Sequence, residues 1–423
     1  MPDLGRKRRV GALPIVGTVL CAMAALAAVG YPKVAGLVQT STGAAPFNPR
    51  PYPLALKTNF ARDHISLGTP VSDREIERLS RLFEPSRVLR SPSHLLHYLY
   101  LWGPEARFDN PHCPSGQQML ALLLDGSREE SYLATRPIAY TDGLGRVSID
   151  TSASNNSEVH VDQFLSMVGD LGVSLDSPIQ TEKGSAPLKE ALKTSIDNFT
   201  MSQELEWSIC TYARYLPPAR KWRNKWGEEF SFDDVVDAFL KRGLGVGPCA
   251  GTHALQALCT ILQADEQYPI ITQLNRSRIK RKLSDVSSLL ERNQHPEGCW
   301  SPKWATASRF TRYFPEERRA MFLATGHHLE WIRIAPPGTI PSRGPIRKAL
   351  AWCFANLQNV DAQDVPDDPC PYVHCAKALI CLSLRDASRS CYLSEPLHPD
   401  RGAGRPADTV GAGSRRSAPR SRQ

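Results

Sequence analysis

The sequence predicts an all-α protein built from stacked helical hairpins. Apolar residues recur at helical spacing over most of the 423-residue chain, and no convincing series of alternating strands is present. Loops that carry Pro and Gly separate roughly a dozen helical segments, which is too many for a four-helix bundle. The segments suit hairpins that stack either as an open solenoid or as a closed ring.

The N-terminus predicts a membrane segment. Residues 1–10 are basic, with cations from Arg6 to Arg9, and residues 11–30 form an uncharged run rich in apolar residues. About 20 apolar residues suffice to cross a bilayer, and flanking cations stay on the cytoplasmic side. We therefore expect a retained anchor, with the membrane as partner and the body outside the cytoplasm. Small residues late in the run leave open a cleaved signal peptide and a secreted or periplasmic protein.

The remaining chain divides into a linker over residues 31–59, a helical domain over residues 60–390 and a basic tail over residues 399–423. The tail is rich in Gly, Ala, Arg, Ser and Pro, so we expect it to be disordered. The formal charge of +8 lies mostly on the two ends of the chain. A nearly neutral body argues against nucleic acid as a partner.

Periodicity and end signals set the expected helices. Ser72 and Ser231 precede acidic first turns, and Pro336-Pro337-Gly338 stops a helix. We predict helices over residues 72–83, 93–102, 116–124, 159–171, 188–199, 203–216, 232–242, 251–264, 271–293, 316–334, 346–357 and 372–384.

A helix corner is predicted between residues 290 and 300. Leu290, Gln294, Gly298 and Trp300 stand where a long apolar-periodic segment ends, and Pro296 stops its continuation. A Gln at a helix end can bond to orphan backbone groups there or on the next helix, while a Trp ring covers the joint. We expect these residues to pin one hairpin to the next.

These four residues resemble the Gln- and Trp-containing repeat of squalene-hopene cyclases and protein prenyltransferase β subunits. The resemblance implies an α/α toroid of roughly six helical hairpins over residues 60–390. The cyclases' Asp-x-Asp-Asp motif is missing, and the zinc ligands of the prenyltransferases cannot be placed by motif. The resemblance therefore implies architecture and leaves the chemistry open.

A second resemblance concerns one segment, Thr325-Gly326-His327-His328-Leu329-Glu330-Trp331. It is similar to the Gly-His-x-x-Glu-Trp segment of N-acylglucosamine and cellobiose 2-epimerases, which also use an α/α barrel. This similarity implies His327 as a proton-transfer base paired with Glu330. Residues three apart lie on one helix face, where a carboxylate can orient an imidazole.

Several histidines are candidates for one shared site. His160, His253 and His374 begin predicted helices, so they could gather with His327 and His328 at one mouth of a ring. Asp162, Cys249 and Cys370 would lie nearby, and such a cluster suits acid–base chemistry or, less favoured, the binding of a metal. The alternative is that each histidine caps or packs beside its own helix. No pair has the close i, i+4 spacing of helical zinc ligands, so no metal or other cofactor is expected.

These observations support three functional hypotheses. The first is a His-lined cavity that binds or transforms an apolar, isoprenoid-like ligand or a carbohydrate, with the candidate lining Trp207, Trp304, Trp331, His160 and Asp162. The second is a non-catalytic interaction scaffold, and the third is an epimerase-like or lyase-like carbohydrate-active enzyme. Whether the protein is an enzyme stays open. We interpret the basic and aromatic residues 221–226 as a surface loop, and the glycine-rich residues 243–247 as unrelated to nucleotide binding.

Overall fold

The computed structural model describes residues 47–57, 65–68, 71–85, 91–125, 137–151, 160–306, 317–361, 364–367 and 369–383. This part of the chain is mostly helical, which confirms the predicted all-α class. Residues 11–30, predicted to meet the membrane, and the tail over residues 399–423 lie outside the described residues. Among the described helices, none combines the length and the apolar character that a bilayer crossing needs.

The helices follow the predicted order closely. They are α1 (Asp73–Leu82), α2 (Pro92–Trp102), α3 (Gly116–Asp125), α4 (Gln163–Asp170), α5 (Leu188–Asn198), α6 (Glu206–Tyr215), α7 (Phe232–Lys241), α8 (Thr252–Gln267), α9 (Gln273–Asn293), α10 (Arg318–Ile334), α11 (Arg343–Leu357), α12 (Asp364–Asp367) and α13 (Cys370–Leu382). Ser72 and Ser231 cap α1 and α7 with complete capping boxes.

Three short antiparallel hairpins, which were not predicted, interrupt the helices in the described part of the chain. They pair β1 (Ala139–Thr141) with β2 (Val147–Ile149), β3 (Pro178–Thr181) with β4 (Gly184–Pro187), and β5 (Lys221–Arg223) with β6 (Glu229–Ser231). The last hairpin corrects the interpretation of residues 221–226 as a plain surface loop. Trp222 is buried against Phe199 and Phe232, whereas Trp226 is 59% exposed.

Helix packing relates six helices in succession. Helix α2 packs on α4, α4 on α6, α6 on α8, α8 on α10, α10 on α13, and α13 on α2. The approach of α10 to α13 is close at Gly326, where an added Cβ would lie 2.7 Å from the Cβ of His374. Other helices pack outside these pairs: α3 on α2, α7 and α9 on α8, and α11 on α10 and α13.

The corner after α9 is held by hydrogen bonds from both of its predicted side chains. The Gln294 amide donates to the carbonyl of Gly298 at 2.7 Å and to that of Pro345, in the first turn of α11, at 2.8 Å. The Trp300 indole donates to the carbonyl of Leu290 at 3.0 Å. Leu290 lies in the last turn of α9, so the Trp satisfies an orphan carbonyl of the helix end. The corner thus joins α9 to α11.

Candidate functional site

Five histidine rings form a continuous row, of which four are buried and one, His160, is partly exposed. His160 and His253 have ring centroids 5.4 Å apart, His253 and His327 4.6 Å, His327 and His374 3.9 Å, and His374 and His97 5.5 Å. These residues belong to α2, the turn before α4, the first turn of α8, the middle of α10 and the first half of α13. We call them the imidazole row. The structure therefore brings together four predicted histidines and adds His97, which was not among the predicted site residues.

Glu330 lies between two rings of the row. Nδ1 of His327 donates to one carboxylate oxygen at 2.7 Å, and Nδ1 of His374 donates to the other at 2.5 Å. Burial raises the pKa of Glu330, but the two imidazoles together outweigh it and hold the pKa well below its usual range. The carboxylate is therefore ionised and fixes the orientation of both rings.

The pKa of His327 is raised, whereas burial usually lowers the pKa of a histidine. Burial and the neighbouring His374 disfavour its protonation, yet Cys249 and Glu330 outweigh them and raise the pKa. Its Nε2 atom has no hydrogen bond of ordinary geometry to a residue that the structure describes, although the Cys249 thiol interacts with the ring. The side chain thus has one nitrogen held by a carboxylate and the other available to a ligand.

His253 is the least satisfied polar side chain of the row. It is 4% exposed, and within the described part of the chain neither ring nitrogen has a hydrogen-bond partner. Each unsatisfied buried polar group costs about 1–3 kcal/mol. Burial, followed by His327, His160 and His374, lowers its pKa well below the ordinary value. A neutral imidazole of this kind keeps its lone pair free to coordinate a metal ion.

A strained loop carries Cys249 to the row. Cys249 and Ala250 adopt left-handed backbone angles, with φ of 48° and 57°, and they follow the glycine-rich residues 243–247. Such conformations cost about 1–3 kcal/mol each in non-glycine residues and are found more often at functional sites. The indole of Trp304 stabilises the loop by donating to the carbonyl of Ala250 at 2.9 Å. The glycines, which we interpreted as unrelated to nucleotide binding, thus help to place a thiol.

Two groups of similar composition lie along the row. One nitrogen each of His160 and His253 and the thiol of Cys249 lie within 4.8 Å of one another, as do the corresponding atoms of His97, Cys370 and His374. In both groups the cysteine precedes a histidine by four residues. This Cys-x-x-x-His spacing was visible in the sequence, and the expectation that no i, i+4 pair exists overlooked it because cysteines were not paired with histidines.

His328 lies apart from the row, although it adjoins His327 in sequence. Its ring packs against Trp304 at 4.8 Å and Trp300 at 5.6 Å, and its Nδ1 accepts a hydrogen bond from the Trp331 indole at 3.0 Å. Burial, with a smaller contribution from His327, lowers the pKa of His328 to about 3. His328 is therefore a neutral histidine of the core, and the predicted lining residues Trp304 and Trp331 pack with it there and not along the row.

The other predicted lining residues are divided between row and core. The Trp207 ring lies 4.7 Å from that of His253, so this side chain does border the row. Asp162 is buried and accepts hydrogen bonds from the hydroxyls of Ser195 and Ser208. Burial raises its pKa, and the hydroxyl donors counteract the shift. Asp162 therefore belongs to a hydroxyl network between α4, α5 and α6.

The chain was compared with protein-family models, with curated proteins and with solved structures, and none of the three comparisons gives a match.

Proposed function

We propose that this protein is an α/α toroid whose central imidazole row binds or transforms a ligand. The contacts that lead from α2 through α4, α6, α8 and α10 to α13 and back to α2 support closure of the helices into a ring. The observation that carries the functional proposal is the placement of Glu330 between His327 and His374, all three almost fully buried. Burying three ionisable groups opposes stability unless they are well paired, so such sites are candidates for function.

The chemistry proposed for this group is proton transfer. Glu330 holds the Nδ1–H of His327, which leaves Nε2 with a lone pair that can accept a proton from a ligand. The second imidazole, on His374, can take part in returning the proton because it shares the same carboxylate. This arrangement follows the general logic of a base that a third group orients.

The proposed ligand is either apolar and isoprenoid-like or a carbohydrate. Trp207 beside His253 and Tyr100, with its ring 5.8 Å from that of His374, supply aromatic faces that suit both classes. The similarity of the segment around His327 and Glu330 to that of the sugar 2-epimerases favours the carbohydrate. The resemblance of the Gln294 and Trp300 corner to cyclases and prenyltransferases favours the isoprenoid.

The cellular setting is proposed from the N-terminal sequence alone. Residues 11–30 would anchor the chain in the membrane, with residues 1–10 in the cytoplasm and the helical domain on the opposite side. Cleavage of the same segment as a signal peptide would instead release the domain. Neither arrangement changes the chemistry proposed for the row.

A ligand screen tests the proposal. Oligosaccharides and isoprenoid alcohols are added separately to the full-length protein in detergent, and the thermal midpoint is followed. A ligand at 100 times its Kd stabilises the native state by about 2.7 kcal/mol, which is a measurable shift. We expect His327→Gln to abolish the shift. His328→Asn is the matched control on the same helix, and it should keep the shift because His328 lies outside the row.

The interaction scaffold remains the second candidate. Replacing a buried ionic group by apolar residues of similar volume is often neutral or stabilising when the group has only a structural role. If the row is only structural, a protein with His327→Leu, Glu330→Leu and His374→Leu together should keep an unchanged or higher thermal midpoint. That result, with no shift of the wild-type protein by either ligand class, would support the scaffold and contradict a catalytic row.

A further inference from the structure

We propose that His160, Cys249 and His253 bind a transition-metal ion of the Zn²⁺ type. These three residues are distinct from the Glu330, His327 and His374 group, so metal binding does not depend on the proton-transfer function proposed above. Thiolate and imidazole together are the ligand types that select Zn²⁺ and similar soft ions over Mg²⁺ or Ca²⁺. The proposal differs from the expectation, drawn from sequence, of a protein without a metal.

The distances between the donor atoms fit such an ion. With Zn–N bonds of about 2.0–2.1 Å and Zn–S bonds of about 2.3 Å, tetrahedral ligand atoms are roughly 3.3–3.6 Å apart. The two nitrogens and the thiol sulfur lie within 4.8 Å of one another, so small side-chain rotations bring them to these separations. The donors converge from three separate segments, the turn before α4, the strained loop and the start of α8.

His253 supplies an independent indication of a ligand. It is buried, and neither of its ring nitrogens has a hydrogen-bond partner within the described residues. A buried imidazole of this kind is stabilised if one nitrogen binds a metal ion, because the lone pair then has an acceptor. The neighbouring Trp207 ring and the T-shaped contact with His160 hold the imidazole in place.

His160 has the partner that metal-bound histidines usually have. Its Nδ1 donates to the carboxylate of Glu204 at 3.0 Å, which fixes the tautomer and leaves Nε2 as the coordinating atom. Both side chains are about 20% exposed, so this end of the group is accessible to an incoming ion. Coordination requires the thiolate of Cys249, and its proton is released to solvent when the metal binds.

Three protein ligands leave one coordination position for water or substrate, as in catalytic zinc sites. The unbonded Nε2 of His327 lies on the neighbouring ring of the row, with its centroid 4.6 Å from that of His253. A molecule bound to the metal would therefore be close to the proposed proton acceptor.

The second cysteine group provides a control within the same chain. There the Nδ1 atoms of His97 and His374 bond to the Ser93 carbonyl and to Glu330, and Nε2 of His374 lies 3.7 Å from the Cys370 thiol. Each imidazole of this second group has at least one nitrogen bonded to a protein group, whereas His253 in the Cys249 group has neither nitrogen bonded within the described residues. We therefore assign the metal to the Cys249 group. Cys370→Ser is thus the matched control for Cys249→Ser.

The test measures metal binding by the full-length protein without any organic ligand. The metal-free protein is titrated with Zn²⁺ against a chromophoric chelator and with Co²⁺, whose thiolate complex gives a charge-transfer band in the near ultraviolet. We expect about one ion per chain, with a cobalt band that Cys249→Ser removes and Cys370→Ser retains. Glu204→Gln should weaken Zn²⁺ binding by about 10–100-fold, as loss of an outer hydrogen-bond partner does elsewhere.

Two results would overturn the assignment. One is the absence of stoichiometric Zn²⁺ or Co²⁺ binding, and the other is a cobalt band that survives Cys249→Ser. If Cys249→Ser fails to fold, judged by circular dichroism, His160→Gln replaces it, because His160 is partly exposed and its loss should also remove metal binding. A protein that binds metal but neither oligosaccharide nor isoprenoid would support the metal site and contradict the proposed ligand-binding function. A protein that binds one of these ligands but no metal would support the ligand-binding function and contradict the metal site.

Discussion

At the scale of single residues, two adjacent histidines have opposite environments. Successive residues on a helix point about 100° apart, so His327 faces Glu330 and the imidazole row while His328 faces the tryptophans. The sequence placed both in one set of candidates, because their identity and position do not reveal which face of α10 is polar. Only the packing of α10 against α13 and the corner after α9 distinguishes them.

The neutral state of His328 makes a pH prediction. Its pKa is about 3 in the folded protein, against about 6.5 when unfolded, so between these values the unfolded chain binds more protons. Stability from this group is therefore complete above about pH 6.5 and is lost as pH falls toward 3, by up to about 1.4 kcal/mol per pH unit. We expect His328→Asn to lower that slope in urea unfolding measured from pH 4 to pH 7. An unchanged slope would contradict the neutral core assignment.

At the scale of elements, the corner after α9 depends on a glycine that no other residue can replace without strain. Gly298 has φ of 111°, and an added Cβ would overlap the backbone carbonyl of Lys348 in α11. The positive φ alone disfavours other residues, and the close approach of α11 adds a steric cost. The glycine therefore sets the distance between the two elements that Gln294 joins.

Comparison of two glycine substitutions separates these contributions. Gly338 also has a positive φ, of 83°, but a Cβ there would have no atom within 4 Å. We expect Gly338→Ala to cost about 1–2 kcal/mol for the left-handed backbone, and Gly298→Ala to cost about 1–3 kcal/mol more because of overpacking. Equal losses in urea unfolding would show that α11 moves away freely and that the corner is not a fixed joint.

The helices could be predicted from the sequence because each combines an apolar period with an end signal, as at Ser72, Ser231 and Pro336. The hairpins could not, because strands of three or four residues are too short for a period to be recognised. At the site, His160, His253 and His374 were grouped by their positions at helix starts. His97 was missed because it lies inside the apolar helix α2, and the residues around it are typical of a helix packed in the core.

At the scale of the whole molecule, an early segment, residues 65–68, is bonded to the end of α13 and the residue after it. The backbone N–H of Ile65 donates to the carbonyl of Leu382 at 2.7 Å, and the hydroxyl of Ser383 donates to the carbonyl of Ile65 at 2.7 Å. The buried ammonium of Lys377 donates to the carbonyl of Leu101 at the end of α2, at 3.3 Å. In an open solenoid each repeat contacts only its neighbours in sequence, so bonds between early and late segments are not expected there. These bonds therefore support the proposed closure of the helices into a ring.

A pair of truncations tests that closure. Deleting residues 364–423 removes α12 and α13, which exposes the apolar faces of α2 and α10 together. We therefore expect the remaining helices to lose stability as one cooperative unit, as followed by circular dichroism in urea. Deleting only residues 399–423 is the control and should leave the transition unchanged. A first truncation that leaves the other helices as stable as before would indicate an open stack.

The imidazole row has a kinetic consequence. Its rings come from α2, α8, α10 and α13 and from the turn before α4, so its two ends join segments that are far apart in sequence. Contacts between distant segments form late in folding, because closing a long loop costs conformational entropy before the new contacts stabilise the chain. We therefore expect the row to be complete only after the last helix docks. A partly folded chain would carry the same histidines and cysteines but none of their shared geometry, so it would lack the site until folding is complete.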